Sequence, residues 1–269
     1  MLITLLVTLL LSYLGLVLFM WAFQDRFIFF PPPLSSQRKA EIQKKFPASE
    51  IQFKTPDGIT LKGWVLKSPH PQTDSLVIYF GGNTEEISEN LEAMSQLQET
   101  SLLLINYRGY GESEGRPSER NLFQDTLTIF DHIGSQSGVD KNKIYVMGRS
   151  LGAAMAVYLA SQRNIKGLIL ITPFDSALNL AKKHYPYLPI SLLLKHPFNA
   201  LAIVPKLKMP LLGMIAEKDA VVPLQNSLNL FNRYPGPQTR VILKKADHHN
   251  VQDFLEYWEE IQQFLARNY

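Results

Sequence analysis

Lys143 to Leu159 reads KIYVMGRSLGAAMAVYL, a short apolar run that meets Gly-Arg-Ser-Leu-Gly and passes at once into an alanine-rich, helix-forming segment. Strand, tight turn and helix in that order make a nucleophile elbow, which lifts one serine side chain above the end of a sheet. The strained serine backbone leaves no room for side chains two residues away, so Gly148 and Gly152 stand where larger residues would clash. Ser150 is therefore the expected nucleophile.

A stray G-x-S-x-G arises by composition alone in roughly one such chain in twenty, and this chain carries a second match, Gly111-Glu112-Ser113-Glu114-Gly115. Its serine lies between two carboxylates that would repel a developing oxyanion, and the run continues into Arg116-Pro117 rather than a helix. It reads as a loop. Context on both sides, not the motif, singles out Ser150.

The surrounding pattern alternates strands and helices. IQFKT and TLKGWVL form an opening antiparallel pair across the turn Pro56-Asp57-Gly58. Short apolar runs follow at 76–80, 102–106, 144–147, 167–172, 211–216 and 240–243, separated by segments long enough for crossover helices. The expected helices cover about 86–98, 119–134, 151–163, 224–234 and 251–266, with Ser118 capping the second. This spacing predicts an α/β domain with a mostly parallel sheet and right-handed crossovers.

A serine hydroxyl is a weak nucleophile at neutral pH and needs a base to take its proton and a carboxylate to orient that base. Asp219 follows the run Leu211 to Ala216, at the carboxyl end of a strand, where open α/β sheets place functional groups. Asp175 also follows a strand and is its rival; the placement rule favours Asp219. After the last strand, Lys244-Lys245-Ala246-Asp247-His248-His249-Asn250 presents the base as His248 or His249 and completes the chain order Ser, Asp, His.

GRSLGA, the Asp loop closed by VVP and the ADHHN turn together resemble the α/β-hydrolase superfamily over about residues 51–269. YFGGN at 79–83 and NYRGYG at 106–111 resemble strand-end signatures of membrane-anchored serine hydrolases related to monoacylglycerol lipases and serine-aminopeptidase-like domains. The resemblance implies an α/β-hydrolase fold with helices on both faces of the sheet. Its A-x-H-N-D turn, laid on Ala246 to Asn250, selects His248. It also implies an oxyanion hole built from the backbone N–H groups of Asn83 and Leu151. Many relatives carry His-Gly where this chain has Gly81-Gly82, but backbone donors serve whatever side chains stand there.

No cofactor is expected, because Gly109-Tyr110-Gly111 with Gly115 lacks both a Lys-Ser/Thr pair and dinucleotide spacing. His184 and His196 show no two-ligand helical spacing, so no catalytic metal is expected either. With 27 basic and 24 acidic residues and a net charge of +3, no basic stripe points to nucleic acid. The absence of cysteine excludes disulfides, thiolate metal sites and a cysteine nucleophile.

Residues 2–23, LITLLVTLLLSYLGLVLFMWAF, are uncharged over about 33 Å of helix, enough to cross a bilayer. No basic n-region or small-x-small cleavage site accompanies them, so they read as a retained single-pass anchor over residues 1–24 rather than a signal peptide. Arg26, Arg38, Lys39, Lys44 and Lys45 follow, and the positive-inside rule places the next domain on the cytoplasmic side. Residues 25–50, with Pro31 to Pro33, read as a stiff juxtamembrane spacer before a hydrolase domain at 51–269.

Residues 174–205 carry Tyr185, Tyr187, Leu188, Leu192, Leu193 and Leu194, where the family often inserts a short cap. They either line an acyl pocket or pack on the core; a Leu run suits both. The expected activity is hydrolysis of carboxylic esters, lipid esters or acyl thioesters, through an acyl-enzyme on Ser150. The alternatives are a serine peptidase of aminopeptidase-like type and a membrane-bound interaction protein without turnover.

Overall fold

The central apolar runs of the sequence become strands buried on both faces. A computed structural model describes residues 1–70, 75–136 and 138–267. The strands are β1 (Glu50–Lys54), β2 (Thr60–Leu66), β3 (Leu76–Phe80), β4 (Ser101–Ile105), β5 (Ile144–Arg149), β6 (Gly167–Ile171), β7 (Leu211–Ala216) and β8 (Gln238–Leu243). The helices are α1 (Leu2–Ile28), α2 (Ser36–Lys45), α3 (Leu91–Met94), α4 (Glu119–Gly134), α5 (Leu151–Gln162), α6 (Ala177–His184), α7 (Ile190–Leu193), α8 (Leu224–Asn232) and α9 (Leu255–Ala266).

The strands form one sheet in the order β1-β2-β4-β3-β5-β6-β7-β8. β1, β2 and β4 pair antiparallel, and every pair from β4-β3 to β7-β8 is parallel. Every residue of β3, β5, β6 and β7 is buried, as a sheet covered by helices on both faces requires. Alternation along the strands divides the core in two. Ile78, Leu103, Val146 and Leu170 face the side covered by α4, α5 and α8, whereas Val77, Leu104, Met147 and Ile169 face α3 and α9.

β3 lies between β4 and β5; its chain leaves toward β4, while the chain leaving β5 goes to β6 on the other side. The connections diverge there, opening a crevice at the carboxyl ends of β3 and β5, the usual ligand site of an open α/β sheet. Ser150 sits at that end of β5.

Ser118 Oγ accepts from the Asn121 N–H at 3.2 Å and caps α4 as the sequence predicts. The helix expected over 86–98 is shorter: a 3₁₀ turn over Ile87–Asn90 leads into α3. A side chain claims this backbone, with the Ile87 N–H donating to Asn106 Oδ1 at 3.0 Å, while the Ser88 hydroxyl donates to the Glu86 carboxylate. The last helix is likewise divided, with extended backbone at Phe254 before α9.

The stretch read as a stiff spacer differs most. Ser36–Lys45 is helical, buries Ile42 and is tied to the domain by Arg38 on Glu92 at 2.6 Å and Lys39 on Glu112 at 2.8 Å. The Arg38 guanidinium holds the Glu92 carboxyl down to about 2. Two of the charges of the expected spacer, Arg38 and Lys39, are thus the pins that dock α2. α1 is long and apolar enough to cross a membrane, and none of its most apolar stretch is buried.

The loop after β4 is held by Arg108, whose Nε and Nη2 donate to both Asp125 oxygens at 2.7 and 2.5 Å while Nη1 reaches Asp57 at 2.9 Å. The Arg108 and Asp125 side chains are 5% and 4% exposed, so losing the cation strands a carboxylate in a dry site. Arg108→Met should cost about 3–5 kcal/mol of stability. Arg108→Met with Asp125→Leu should recover most of that loss in denaturant unfolding of the full chain. A single variant as stable as wild type would show the pair to be dispensable.

Candidate active site

The turn after β5 turns sequence into strain. Ser150 has φ 51° and ψ −113°, positive-φ backbone that costs a non-glycine residue about 1–3 kcal/mol. Two hydrogen bonds hold it there: its N–H donates to the Ile171 carbonyl at 2.9 Å, and its carbonyl accepts from the Ala153 N–H at 3.0 Å. A Cβ on Gly152 would lie 1.9 Å from the Phe80 carbonyl oxygen, and one on Gly148 would lie 2.2 Å from the Gly152 carbonyl oxygen. No side chain fits at either position. The first turn of α5 therefore rests directly on the end of β3.

Ser150, His248 and Asp219 come together in one run of hydrogen bonds. Ser150 Oγ lies 3.1 Å from His248 Nε2, and His248 Nδ1 lies 2.7 Å from Asp219 Oδ2. A carboxylate only accepts, so Nδ1 carries the proton and Nε2 turns its lone pair toward the Ser150 hydroxyl. Asp219 Oδ1 accepts the N–H groups of Val221 and Val222 at 2.9 and 2.7 Å, fixing the carboxylate plane. The Asp219 side chain is 1% exposed and that of His248 is 11% exposed.

The rivals point elsewhere. His249 is exposed; its N–H donates to Asp247, and its ring meets that of His248 edge-on at 5.5 Å. The His249 and Asn250 N–H groups lower the Asp247 carboxyl below its ordinary range and shape the turn that presents His248. Asp175 bonds no histidine. Its carboxylate accepts from the Ser176 N–H and from the side-chain amides of Asn179, Asn226 and Asn229, which fastens the start of α6 to α8. Ser113, from the second G-x-S-x-G, lies in a loop where its oxygen accepts the Lys62 N–H at 2.9 Å.

Near the serine, the N–H groups of Leu151 and Asn83 carry no hydrogen bond to a group among the described residues. Leu151 is the first residue of α5, and such leading N–H groups have no intrahelical partner. The loop bearing Asn83 is shaped by two tyrosines from NYRGYG. Tyr107 donates to the Gly81 carbonyl at 2.7 Å and Tyr110 to Asn83 Oδ1 at 2.8 Å. Burial pushes both phenols up, so they remain donors. Asn83 Nδ2 in turn donates to the Ile28 carbonyl at the end of α1, at 2.5 Å.

Sequence reasoning passed over Arg149, the variable position of the motif. Its Nη2 donates to the His248 carbonyl at 2.7 Å, and its Nη1 meets Glu85 Oε1 at 3.0 Å. Glu85 Oε2 also accepts from the Tyr79 hydroxyl at 2.8 Å and from Asn90 at 3.0 Å. Burial is the largest influence on Arg149 and opposes its charge, but the Glu85 carboxylate together with the Tyr79 and Tyr257 phenols outweighs it and the guanidinium is held above its ordinary range. The available signal was a cation ending an otherwise apolar strand. Thr172, after β6, was also missed: it has φ 42°, is fully buried, and its hydroxyl has no partner.

Among the described residues no group of three or more acidic or histidine side chains could hold a metal ion. Two surface clefts, lined by Ser75, Thr100, Lys143 and Lys166 in one case and by Leu76, Ser101 and His70 in the other, open near the strands' amino ends. That is the wrong edge for Ser150, and neither contains a residue of the hydrogen-bonded run.

The family model for serine aminopeptidases of group S33 matches residues 71–195. An uncharacterised Mycobacterium tuberculosis protein, Rv2307c, is 32% identical over 257 residues, covering 94% of this chain and 90% of its own length. The α/β-hydrolase domain-containing protein WAV2 of Arabidopsis thaliana is 27% identical over 223 residues, 75% of this chain and 72% of WAV2. Among solved structures, the Pyrococcus furiosus esterase Pf2001 superposes with a TM-score of 0.67 at 21% identity, covering 88% of this chain and 98% of the esterase. Sheet order, the strained serine turn and these likenesses agree: the chain belongs to the α/β-hydrolase superfamily.

Proposed function

We propose that the protein is a serine hydrolase of carboxylic esters, held at a membrane by α1 with its domain on the cytoplasmic side. The observation that carries the reading is the unbroken run from Ser150 Oγ through the His248 ring to Asp219, with separations of 3.1 and 2.7 Å. In this mechanism His248 Nε2 takes the Ser150 proton as Oγ attacks the ester carbonyl. Asp219 holds the ring and stabilises the imidazolium. The Leu151 and Asn83 N–H groups receive the oxyanion, each contributing about 3 kcal/mol of transition-state stabilisation. His248 then protonates the leaving alcohol or thiol, and water, activated by the same ring, releases the acid from the acyl-enzyme.

The substrate class is a lipid ester or acyl thioester. An apolar anchor and an apolar stretch within residues 174–205 support it, as does the fold shared with an esterase. The aminopeptidase in the matching family's name supplies the second reading. An aminopeptidase needs a carboxylate for the substrate's α-ammonium. Glu85 and Asp219, the carboxylates that the hydrogen bonds of the site include, are already engaged by Arg149 and by His248. The ester reading is favoured accordingly.

A fluorophosphonate probe should label the full-length protein and fail on Ser150→Ala, with ester turnover falling at least about 10⁴-fold. Labelling that survives the substitution would overturn the reading. His248→Ala should abolish turnover, while His249→Ala keeps it within a few-fold, because only His248 lies between Ser150 and Asp219; the reverse result would move the base. Asp219→Asn should lower kcat by about 10⁴ through the wrong imidazole tautomer. Asp175→Asn should lower thermal stability instead and leave kcat within about tenfold; full activity in Asp219→Asn would transfer the acid role.

A further inference from the structure

The hydrogen bonds between α1 and the segment after α6 fix how far the domain reaches along the helix. Gln24 Nε2 donates to the Leu193 carbonyl at 2.9 Å and its Oε1 accepts the Lys195 N–H at 2.7 Å. Much farther along α1, the Tyr13 hydroxyl donates to the Tyr187 carbonyl at 2.9 Å. The two attachment points are eleven residues apart on the helix, about 16 Å at 1.5 Å per residue. Residues 187–193 therefore run beside α1 rather than meeting only its end.

The level at which α1 leaves hydrocarbon is marked independently. Asp25 and Arg26 end the uncharged run, and Trp21 stacks under the Lys195 ammonium at 4.5 Å, an aromatic and a cation together as at a headgroup boundary. Tyr13 lies eight residues, about 12 Å, on the apolar side of Trp21. Placing the boundary at Tyr13 instead would leave Leu14, Leu16, Leu18, Phe19 and Phe23, each 43–64% exposed, in water.

The segment beside α1 has the composition of a membrane-inserted tip. Tyr185 to Leu194, YPYLPISLLL, carries no charge and is bracketed by Lys182, Lys183 and His184 before it and Lys195 after it. Its base is core, with Ile190 buried, while Tyr185, Tyr187 and Leu192 are 54%, 89% and 85% exposed. Bare apolar tips flanked by cations suit acyl chains below and anionic or zwitterionic headgroups around them.

From this register we infer that the tip formed by Tyr185–Leu194 is immersed in the leaflet through which α1 joins the domain, so that the domain is seated in the lipid surface rather than tethered above it. The inference rests on the anchor reading and deepens it: an acyl substrate reaches the Ser150 crevice from the leaflet, beside α1, without crossing water.

The chain contains no cysteine, so single-cysteine variants take a fluorophore at one chosen place. Leu9→Cys, Tyr187→Cys, Leu192→Cys and Leu255→Cys, each labelled with a nitrobenzoxadiazole dye, are compared in the full-length protein in phosphatidylcholine vesicles with and without nitroxide acyl chains. Leu9 reports the anchor, and Leu255, 72% exposed at the start of α9, reports the water-facing domain. Dyes at 187 and 192 should be blue-shifted and lose at least about half their emission to the nitroxide, with 187, level with Tyr13, the deeper of the two. The dye at 255 should be unaffected. Quenching at 9 without quenching at 187 and 192 overturns the immersed tip and leaves the anchor standing. No quenching at 9 overturns both.

Discussion

The contact on which the rest depends is the seating of Gly152 on the Phe80 carbonyl, backbone against backbone. It brings the amino end of α5 to the end of β3, so one short approach sets the Ser150 turn, the Leu151 N–H and the loop from Gly81 to Asn83 in a common frame. The helix dipole adds partial positive charge at the same place. Strain at Ser150 persists because strand pairing to Ile171 and the first turn of α5 over-determine its backbone.

Around that contact the polar groups are stitched into rigid supports. Arg149 joins the turn bearing His248 to Glu85 in the loop after β3, while Tyr107 and Tyr110 reach the same loop from the end of β4. Elements far apart in sequence are thereby held to one another by buried, satisfied donors, the arrangement that keeps side chains within fractions of an ångström. The exception is Thr172, strained and with an unpartnered hydroxyl one strand from Ser150; departures from ideal geometry gather at the carboxyl edge of the sheet.

Much of this was legible in the chain. β3 and β7 coincide with their apolar runs because a strand covered on both faces must be apolar throughout, and α4 follows its Ser118 cap and amphipathic period. What was not legible depends on partners distant in sequence. Residues 86–98 look helical until Asn106 takes the Ile87 N–H, and α2 looks like linker because its pins, Glu92 and Glu112, lie some fifty residues and more away. The choice between His248 and His249 turned on which ring faces inward, and spacing alone leaves neighbouring residues equivalent. Arg149 occupied a position the motif treats as free, so its neighbours in space, not in sequence, disclose its work.

The bond from Asn83 to the carbonyl of Ile28 bears on how the protein can be handled. Phe29, the next residue, is buried in the core, and the Pro32 carbonyl accepts from the Gly111 N–H at 2.9 Å. The apolar helix and the hydrolase domain therefore share a seam, and that seam touches the loop beside the serine. A fragment trimmed after residue 28 for solubility begins with the acceptor of Asn83 cut away and Phe29 at a loose end. Detergent extraction of the intact chain preserves that wall of the crevice; excision removes it.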